Sequence, residues 1–477
     1  MIPIQRTDIR LKADPQRVIL KFLDFGKPKR FLPPVQYVLG LSAEAAEKQL
    51  EGIFSEFQSR HFGLEAAFLE HYGRLAAYVP KEPSLSKKLL LGAYFTHEYS
   101  TEAAALFNPS IVPHPNQEEL EEGGLRFILS MRATGEGHIS SIAFRTGLVN
   151  ADGTITLGPP PAKLSSGKKQ SGLAFSLPFV KHRFDRGEEM NEQFRNSLPE
   201  QFTEKQALAV AHRLEEKLHL NLTSDKAQVS SIFDSNYNCS FPDSIPLESR
   251  VLFPQSAAES NGMEDARFVQ FEDERGPAYL GTYTAYNGRS IRPQLIETTD
   301  FCNFRIRPFY GKGASDKGMA LFPEKINGRY AMIGRQGGRE LSIMFSDNLY
   351  FWEAYHPLQR PERGWEILQM GNCGSPVKTP AGWLLLTHAV GPMRKYVLSF
   401  TLLDLHQPEK VLASLEQPLL SPNAEEREGY VPNVLYTCGM IQHGEHLIIP
   451  YAMSDSAIGF ATTKTESVLL ELQNNKP

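Results

Sequence analysis

Gly382-Trp383-Leu384-Leu385-Leu386-Thr387-His388 is a glycine turn, then an apolar run that ends on hydrogen-bonding side chains. The same order recurs in Gly124-Leu125-Arg126-Phe127-Ile128-Leu129-Ser130-Met131-Arg132 and in Gly276-Pro277-Ala278-Tyr279-Leu280-Gly281-Thr282-Tyr283-Thr284. It returns in Gly328-Arg329-Tyr330-Ala331-Met332-Ile333-Gly334-Arg335 and Gly444-Glu445-His446-Leu447-Ile448-Ile449-Pro450-Tyr451. Glycine supplies the positive φ of a tight hairpin, and a run of this length is a short strand buried between sheets. Gly276, Gly328, Gly382 and Gly444 fall 52, 54 and 62 residues apart, a blade-sized period. The longer gap after Gly124 is filled by a stretch with helical spacing, Glu204 to Leu218. Five such units predict a mainly β protein, a five-bladed β-propeller. A β-sandwich or a row of unrelated hairpins is the plainer alternative.

Residues 1–100 read differently. Leu50, Ile53, Phe54 and Phe57, then Ala67, Phe68, Tyr72, Leu75 and Ala76, fall at helical spacing, with Ser42 as an N-cap. The expected organisation is a helical N-terminal extension over 1–100 and a propeller over 101–470. A partly helical insertion is expected over about 160–240, in the first blade region. Ser165-Ser166-Gly167-Lys168-Lys169 lacks the P-loop spacing and reads as a solvated loop.

The 477 residues carry 50 Lys+Arg against 55 Asp+Glu, so there is no basic excess for a nucleic-acid backbone. Four cysteines, each more than sixty residues from the next, exclude zinc ribbons and redox dithiols. The longest apolar runs are strand-sized, and the N-terminus has no signal-peptide h-region. The reading is a cytoplasmic protein with no metal, no cofactor, no nucleic-acid partner and no membrane partner. Its N-terminal helices either pair subunits into a homo-oligomer or pack on their own propeller.

In a propeller, corresponding strand ends converge on one mouth, here Arg132, Tyr283, Arg335, His388 and Tyr451. Such donors suit a hydroxyl-rich or anionic ligand. Acids stand nearby in Glu264-Asp265-Ala266-Arg267, in Glu425-Glu426-Arg427-Glu428 and at Asp455. Carboxylates at one mouth meet the needs of glycosyl transfer, where an acid protonates the departing oxygen.

Gly374-Ser375-Pro376-Val377-Lys378-Thr379-Pro380 running on to His388, Leu402 to Val411, and Gly429-Tyr430-Val431-Pro432-Asn433-Val434 resemble segments of glycoside hydrolase family 130. So do Phe107-Asn108-Pro109, Phe322-Pro323-Glu324-Lys325-Ile326-Asn327-Gly328 and Glu264-Asp265-Ala266-Arg267, where Ala266 replaces the usual proline. The resemblance spans about 105–465. It implies a five-bladed propeller that cleaves β-mannosidic bonds with inversion, by phosphorolysis or, in some branches, hydrolysis. The implied substrate is a β-linked manno-oligosaccharide or a mannosyl-glucose, with inorganic phosphate as co-substrate of a phosphorylase.

The resemblance further implies that Asp265 is the general acid, acting through a hydroxyl of the bound mannose. Asn108, Arg267, Tyr283 and Asp455 would hold sugar hydroxyls, with Arg132 beside them at the mouth. Arg335 and His388 would flank the attacking phosphate or water, with Arg289 and Arg292 also available to phosphate. Gln369 stands where a lysine is expected, and Gly334 where relatives often have histidine. Fewer cations weaken phosphorolysis without eliminating it, and phosphorolysis, commoner in the family, stays slightly ahead of hydrolysis, for which Glu428 or Glu425 would activate water. A non-catalytic carbohydrate-binding propeller is the reading from another class.

Overall fold

The computed structural model describes residues 2–170, 173–176, 188–218, 230–273 and 276–474. Each of the five quoted runs forms a strand: Leu125–Thr134, Gly276–Tyr286, Tyr330–Gly334, Gly382–Val390 and His446–Met453. Each turns back antiparallel on the next strand, respectively Ser140–Val149, Ile291–Thr298, Leu341–Ser346, Tyr396–Leu403 and Ala457–Lys464. These hairpins centre five units. The first two share a twelve-stranded sheet through the pairing of Gly262 with Ser140; the others have four, five and six strands. The turn glycines before units two to five all have positive φ, and before the first it is Gly123 and not Gly124.

Apolar cores lie between successive units. Phe144 of unit one packs with Phe268 and Phe301 of unit two, and Leu295 of unit two with Met332 and Met344 of unit three. Trp383 of unit four stands edge-on to Phe322 of unit three, centroids 5.2 Å apart, a favoured aromatic geometry. Leu386 and Phe400 of unit four meet Leu447 and Tyr451 of unit five. A further core returns to the start, joining Ile448, Ile458 and Phe460 of unit five to Phe127 and Leu129 of unit one.

The tips of the five hairpins share a backbone feature. Left-handed φ occurs at Gly137 and His138, at Gly288, at Gly337 and Gly338, at Met393 and Arg394, and at Ser454 and Asp455. Paired positive φ values match the twist of a two-residue hairpin. A β-carbon there costs about 1–2 kcal/mol, so the non-glycine tip positions, His138 of unit one and both residues of units four and five, are strained.

Four helices, Leu32–Gly40, Ala43–Phe57, Leu64–Gly73 and Leu85–Tyr94, lie within residues 1–100, and Ser42 Oγ accepts from Ala45 N to cap the second. The first dozen residues, however, are not helical. Gln5–Arg6 and Leu11–Lys12 pair with Ala457–Lys464, so they belong to the last sheet. Ser165-Ser166 and Lys168-Lys169 also depart from the expected loop. They form two short strands on Arg250-Val251 and on Cys239-Ser240. Gly167 permits this approach, since a β-carbon there would lie 2.2 Å from Cys239 Sγ. Helices Glu188–Asn196 and Glu204–Leu218 follow, sharing a small core with Phe175, Phe202 and Phe233.

No described helix is long and apolar enough to cross a membrane. All four cysteines are buried and unpaired.

Candidate active site

Two β-bulges build the centre of the site. In Gly262–Asp273 the register shifts between Glu264 and Arg267, and Asp265 takes φ 56°. In Ala105–Pro113 it shifts between Phe107 and Ser110, and Asn108 takes φ 49°. Asp and Asn are the side chains that tolerate left-handed backbone best, and a bulge re-aims a side chain out of the strand's alternation. The two re-aimed side chains meet, Asn108 Nδ2 donating to Asp265 Oδ1 at 2.7 Å. Ser110 Oγ accepts from Phe268 N across the same strands, holding the bulges in register.

Arg132 brings unit one's strand end to the same carboxylate. Its Nη1 donates to Asp265 Oδ1 at 3.1 Å, its Nη2 to Glu264 Oε1 at 2.8 Å and its Nε to Ser140 Oγ. Lys317 Nζ lies 2.8 Å from the other oxygen of Glu264. Arg267, 2% exposed, donates to the Asp265 carbonyl and to the Tyr436 hydroxyl, both at 2.7 Å. Burial pushes the Asp265 carboxyl up, but Arg132, Arg267 and the Asn108 amide outweigh it and hold it below its ordinary value.

Asp455 behaves oppositely. Burial and the neighbouring Asp265 charge push its carboxyl up to about 6, against the pull of Arg132 and Arg394. Two carboxylates driven apart in this way are a common mark of acid–base chemistry. The linkage has a definite sign. A carboxyl raised in the folded state adds stability below its unfolded pKa, and that contribution is lost as pH rises through about 6. Asp455→Asn is therefore expected to have a higher Tm than wild type at pH 7 and none of that advantage at pH 4. Calorimetry at both values checks it.

On the other side of Arg267 lie His388 and Arg335. His388 is 1% exposed, and burial, then Arg335 and Arg267, drive its pKa well below the ordinary value, so it is neutral. Gly371 makes room for it, since a β-carbon there would lie 2.6 Å from His388 Nε2 and 3.2 Å from Arg335 Cδ. His388 Nε2, Arg335 Nε, Arg267 Nε and both polar atoms of the Asn372 amide are buried with no protein partner. Buried groups of this kind are normally satisfied, and a cluster left open is suited to a polar ligand.

The structure thus brings together Asn108, Arg132, Asp265, Arg267, Arg335, His388 and Asp455. Tyr283 is not with them. Its hydroxyl donates to Glu259 Oε2 at 2.7 Å inside the core between units one and two, away from the residues that surround Asp265. Tyr451 is likewise buried, bonded to Glu426, which also pairs with Arg6. Arg289 is exposed at a hairpin tip, and Arg292 is half-buried with an unpaired buried Nη1. Glu425 and Glu428 are exposed on the loop before unit five's strands.

Sequence reasoning quoted Glu264 among the acids of its motif without giving it a role, and passed over Lys317, Asn372 and Tyr436. Asn372 was within reach of it, three residues after Gln369. Gly334 is explained by Gln336. A β-carbon at 334 would lie 2.6 Å from Gln336 Oε1, and the Gln336 side chain fills that space, bonded to Ser342 Oγ and the Gly313 carbonyl.

A family profile described as β-1,4-mannooligosaccharide phosphorylase matches residues 195–474. The 1,2-β-oligomannan phosphorylase of Thermoanaerobacter sp. strain X514 is 33% identical over 227 residues, 46% of this chain and 75% of that protein. The β-1,2-mannobiose phosphorylase of Listeria innocua serovar 6a is 30% identical over 235 residues, 47% of this chain and 64% of that one. Among solved structures, the Listeria innocua β-1,2-mannobiose phosphorylase complex with β-1,2-mannobiose aligns with TM-score 0.47 and 21% identity. That alignment covers 79% of this chain and 94% of the other.

Proposed function

This chain belongs to glycoside hydrolase family 130, and from that premise we propose that it is an inverting β-mannoside phosphorylase, forming mannose 1-phosphate from a β-linked manno-oligosaccharide. We propose also that its five units form a five-bladed propeller, a reading supported by the core that runs from unit five back to unit one. β-1,2-Linked substrates come first, because the two relatives described above carry that linkage in their names. β-1,4-Linked manno-oligosaccharides and mannosyl-glucose come next, after the names of two more distant relatives.

The observation that carries phosphorolysis over hydrolysis is the group of buried, unpaired polar atoms at Arg335, His388 and Asn372, with the Arg335 guanidinium as its cation. An anionic nucleophile needs charge-assisted donors of fixed direction, and Arg335 supplies the charge that Gln369 does not. Hydrolysis would instead call on Glu425 or Glu428, and both stand exposed on their loop.

In the proposed reaction, Arg132, Asn108 and Arg267 hold Asp265 and the mannose that it faces. Asp265 delivers a proton, through a mannose hydroxyl, to the departing oxygen. Phosphate, held by Arg335 and His388, attacks the anomeric carbon from the opposite face, so the glycosidic carbon–oxygen bond breaks as the new one forms. Inorganic phosphate is the co-substrate, and no cofactor enters.

Product analysis on β-1,2-mannobiose, with and without phosphate, tests this. Mannose 1-phosphate is expected only with phosphate. Free mannose alone, at equal rates in both, would replace phosphorolysis by hydrolysis. Binding without cleavage, across β-1,2, β-1,3 and β-1,4 substrates, would leave a carbohydrate-binding module.

A further inference from the structure

Among the five hairpin tips, the second and third use glycine for left-handed positions, the first pairs Gly137 with His138, whose ring backs Tyr430, and the fifth uses Asp455, whose carboxyl enters the site. The fourth has no such explanation. Met393 and Arg394 both hold positive φ, yet the Met393 side chain buries nothing, being 87% exposed. Strain kept without a packing return points to function at that position.

The surroundings say what function. The Arg394 guanidinium lies 5.8 Å over the Tyr396 ring, and that ring is stacked 6.0 Å from His388. Tyr396 N donates to the carbonyl of Asn433, which ties this hairpin to the 423–433 loop. That loop leans on the fifth tip: Val431 N donates to the Ser454 carbonyl, and a β-carbon on Gly429 would lie 2.5 Å from the same oxygen. Between those two contacts Tyr430 is left 56% exposed. Its ring is stacked 6.2 Å from that of His138 at 27°, with its hydroxyl 3.4 Å from His138 Nδ1. His138 belongs to the hairpin whose Ser140 holds Arg132.

The rim beside Asp265 and Asp455 therefore carries an aromatic plate, an imidazole, a thioether and a guanidinium, all at its solvent edge. A pyranose ring offers an apolar C–H face and a rim of hydroxyls, and an exposed tyrosine flanked by hydrogen-bonding groups matches both. We propose that Tyr430, backed by His138 and joined by the neighbouring hairpin tip of Met393 and Arg394, is the subsite for the sugar on the leaving-group side, a neutral hexopyranose. The assignment rests on the phosphorylase reading and names the residues that choose its acceptor.

Two measurements test it. In the synthetic direction, from mannose 1-phosphate and mannose, Tyr430→Ala is expected to raise the acceptor KM about tenfold, the size of one lost stacking contact. The KM for mannose 1-phosphate should stay within about twofold in the same variant, since only the acceptor's contact is removed. Met393→Gly, at a backbone position that glycine takes freely, should raise the acceptor KM as well, by a smaller factor. An unchanged acceptor KM in both variants, or an equal rise for mannose 1-phosphate, would overturn the subsite. Titration calorimetry of β-1,2-mannobiose without phosphate separates this from the activity itself. Weaker binding by Tyr430→Ala than by wild type supports the subsite even if the wild-type enzyme proves not to be a phosphorylase; equal binding, or none by wild type, overturns it.

Discussion

Asp265→Asn is expected to lower kcat by about 10³-fold, within the range for losing a general acid, while far-ultraviolet circular dichroism and Tm stay close to wild type. The fold should tolerate it because Asn keeps an oxygen where Asp265 Oδ1 accepts from Asn108 and Arg132, and because Asn accepts the left-handed φ of 56°. What disappears is the exchangeable proton. In the free protein Asp265 is held ionised by Arg132 and Arg267 against the effect of burial, so its acid form must be produced in the substrate complex. A phosphate dianion near Arg335 and His388 adds negative charge to the site and raises the proton affinity of Asp265. The basic limb of the kcat profile, which reports the complex, is therefore expected at higher pH than the free carboxyl would give. Retention of a tenth or more of wild-type kcat by Asp265→Asn would assign the proton to another group.

The second large effect concerns stability. Glu259 is fully buried and accepts from Tyr237 Oη at 2.6 Å, Tyr283 Oη at 2.7 Å, Gln255 N at 2.8 Å and Ser256 N at 3.1 Å. Glu259→Ala leaves all four donors without that acceptor, and each buried orphan costs about 1–3 kcal/mol. Allowing for rearrangement and water entry, a loss of about 4 kcal/mol is expected in urea unfolding. Glu259→Gln retains one acceptor and should lose about 1–2 kcal/mol. The pair also tests the placement of Tyr283. If that tyrosine held sugar, Glu259→Ala would raise KM as well as lower stability.

The five strands were legible because an apolar run after a turn glycine has few other places to go than a sheet interior. Their shared strand-end residues were only partly legible. Arg132, Arg335 and His388 do enter the site, whereas Tyr283 and Tyr451 turn into cores. A tyrosine at a strand end serves either purpose, and its partner decides which. Those partners, Glu259 and Glu426, lie 24 and 25 residues away on loops.

The loops themselves hold a repeat that the strand pattern hid. Pro254 to Glu259, Pro361 to Glu366 and Pro422 to Glu426 each end in a buried glutamate that accepts backbone N–H groups of its own loop. Lys317 was beyond sequence reasoning for a related reason, since its partner Glu264 is 53 residues away. Pairings across that distance are set by sheet geometry and leave no local spacing to read.

The pairing of residues 5–12 with Ala457–Lys464 has a consequence for how the protein is made. At about 5–20 residues per second, the two partners leave the ribosome roughly half a minute to a minute and a half apart. Through that interval Ile2, Ile4, Ile9 and Leu11 have no sheet to join, and the apolar edges of the fifth unit do not yet exist. The last sheet is therefore completed only after Ala457–Lys464 has been made, by two parts of the chain about 450 residues apart meeting. Until then the nascent protein offers an unpaired segment, with four apolar side chains uncovered, to any chaperone or protease that reaches it first.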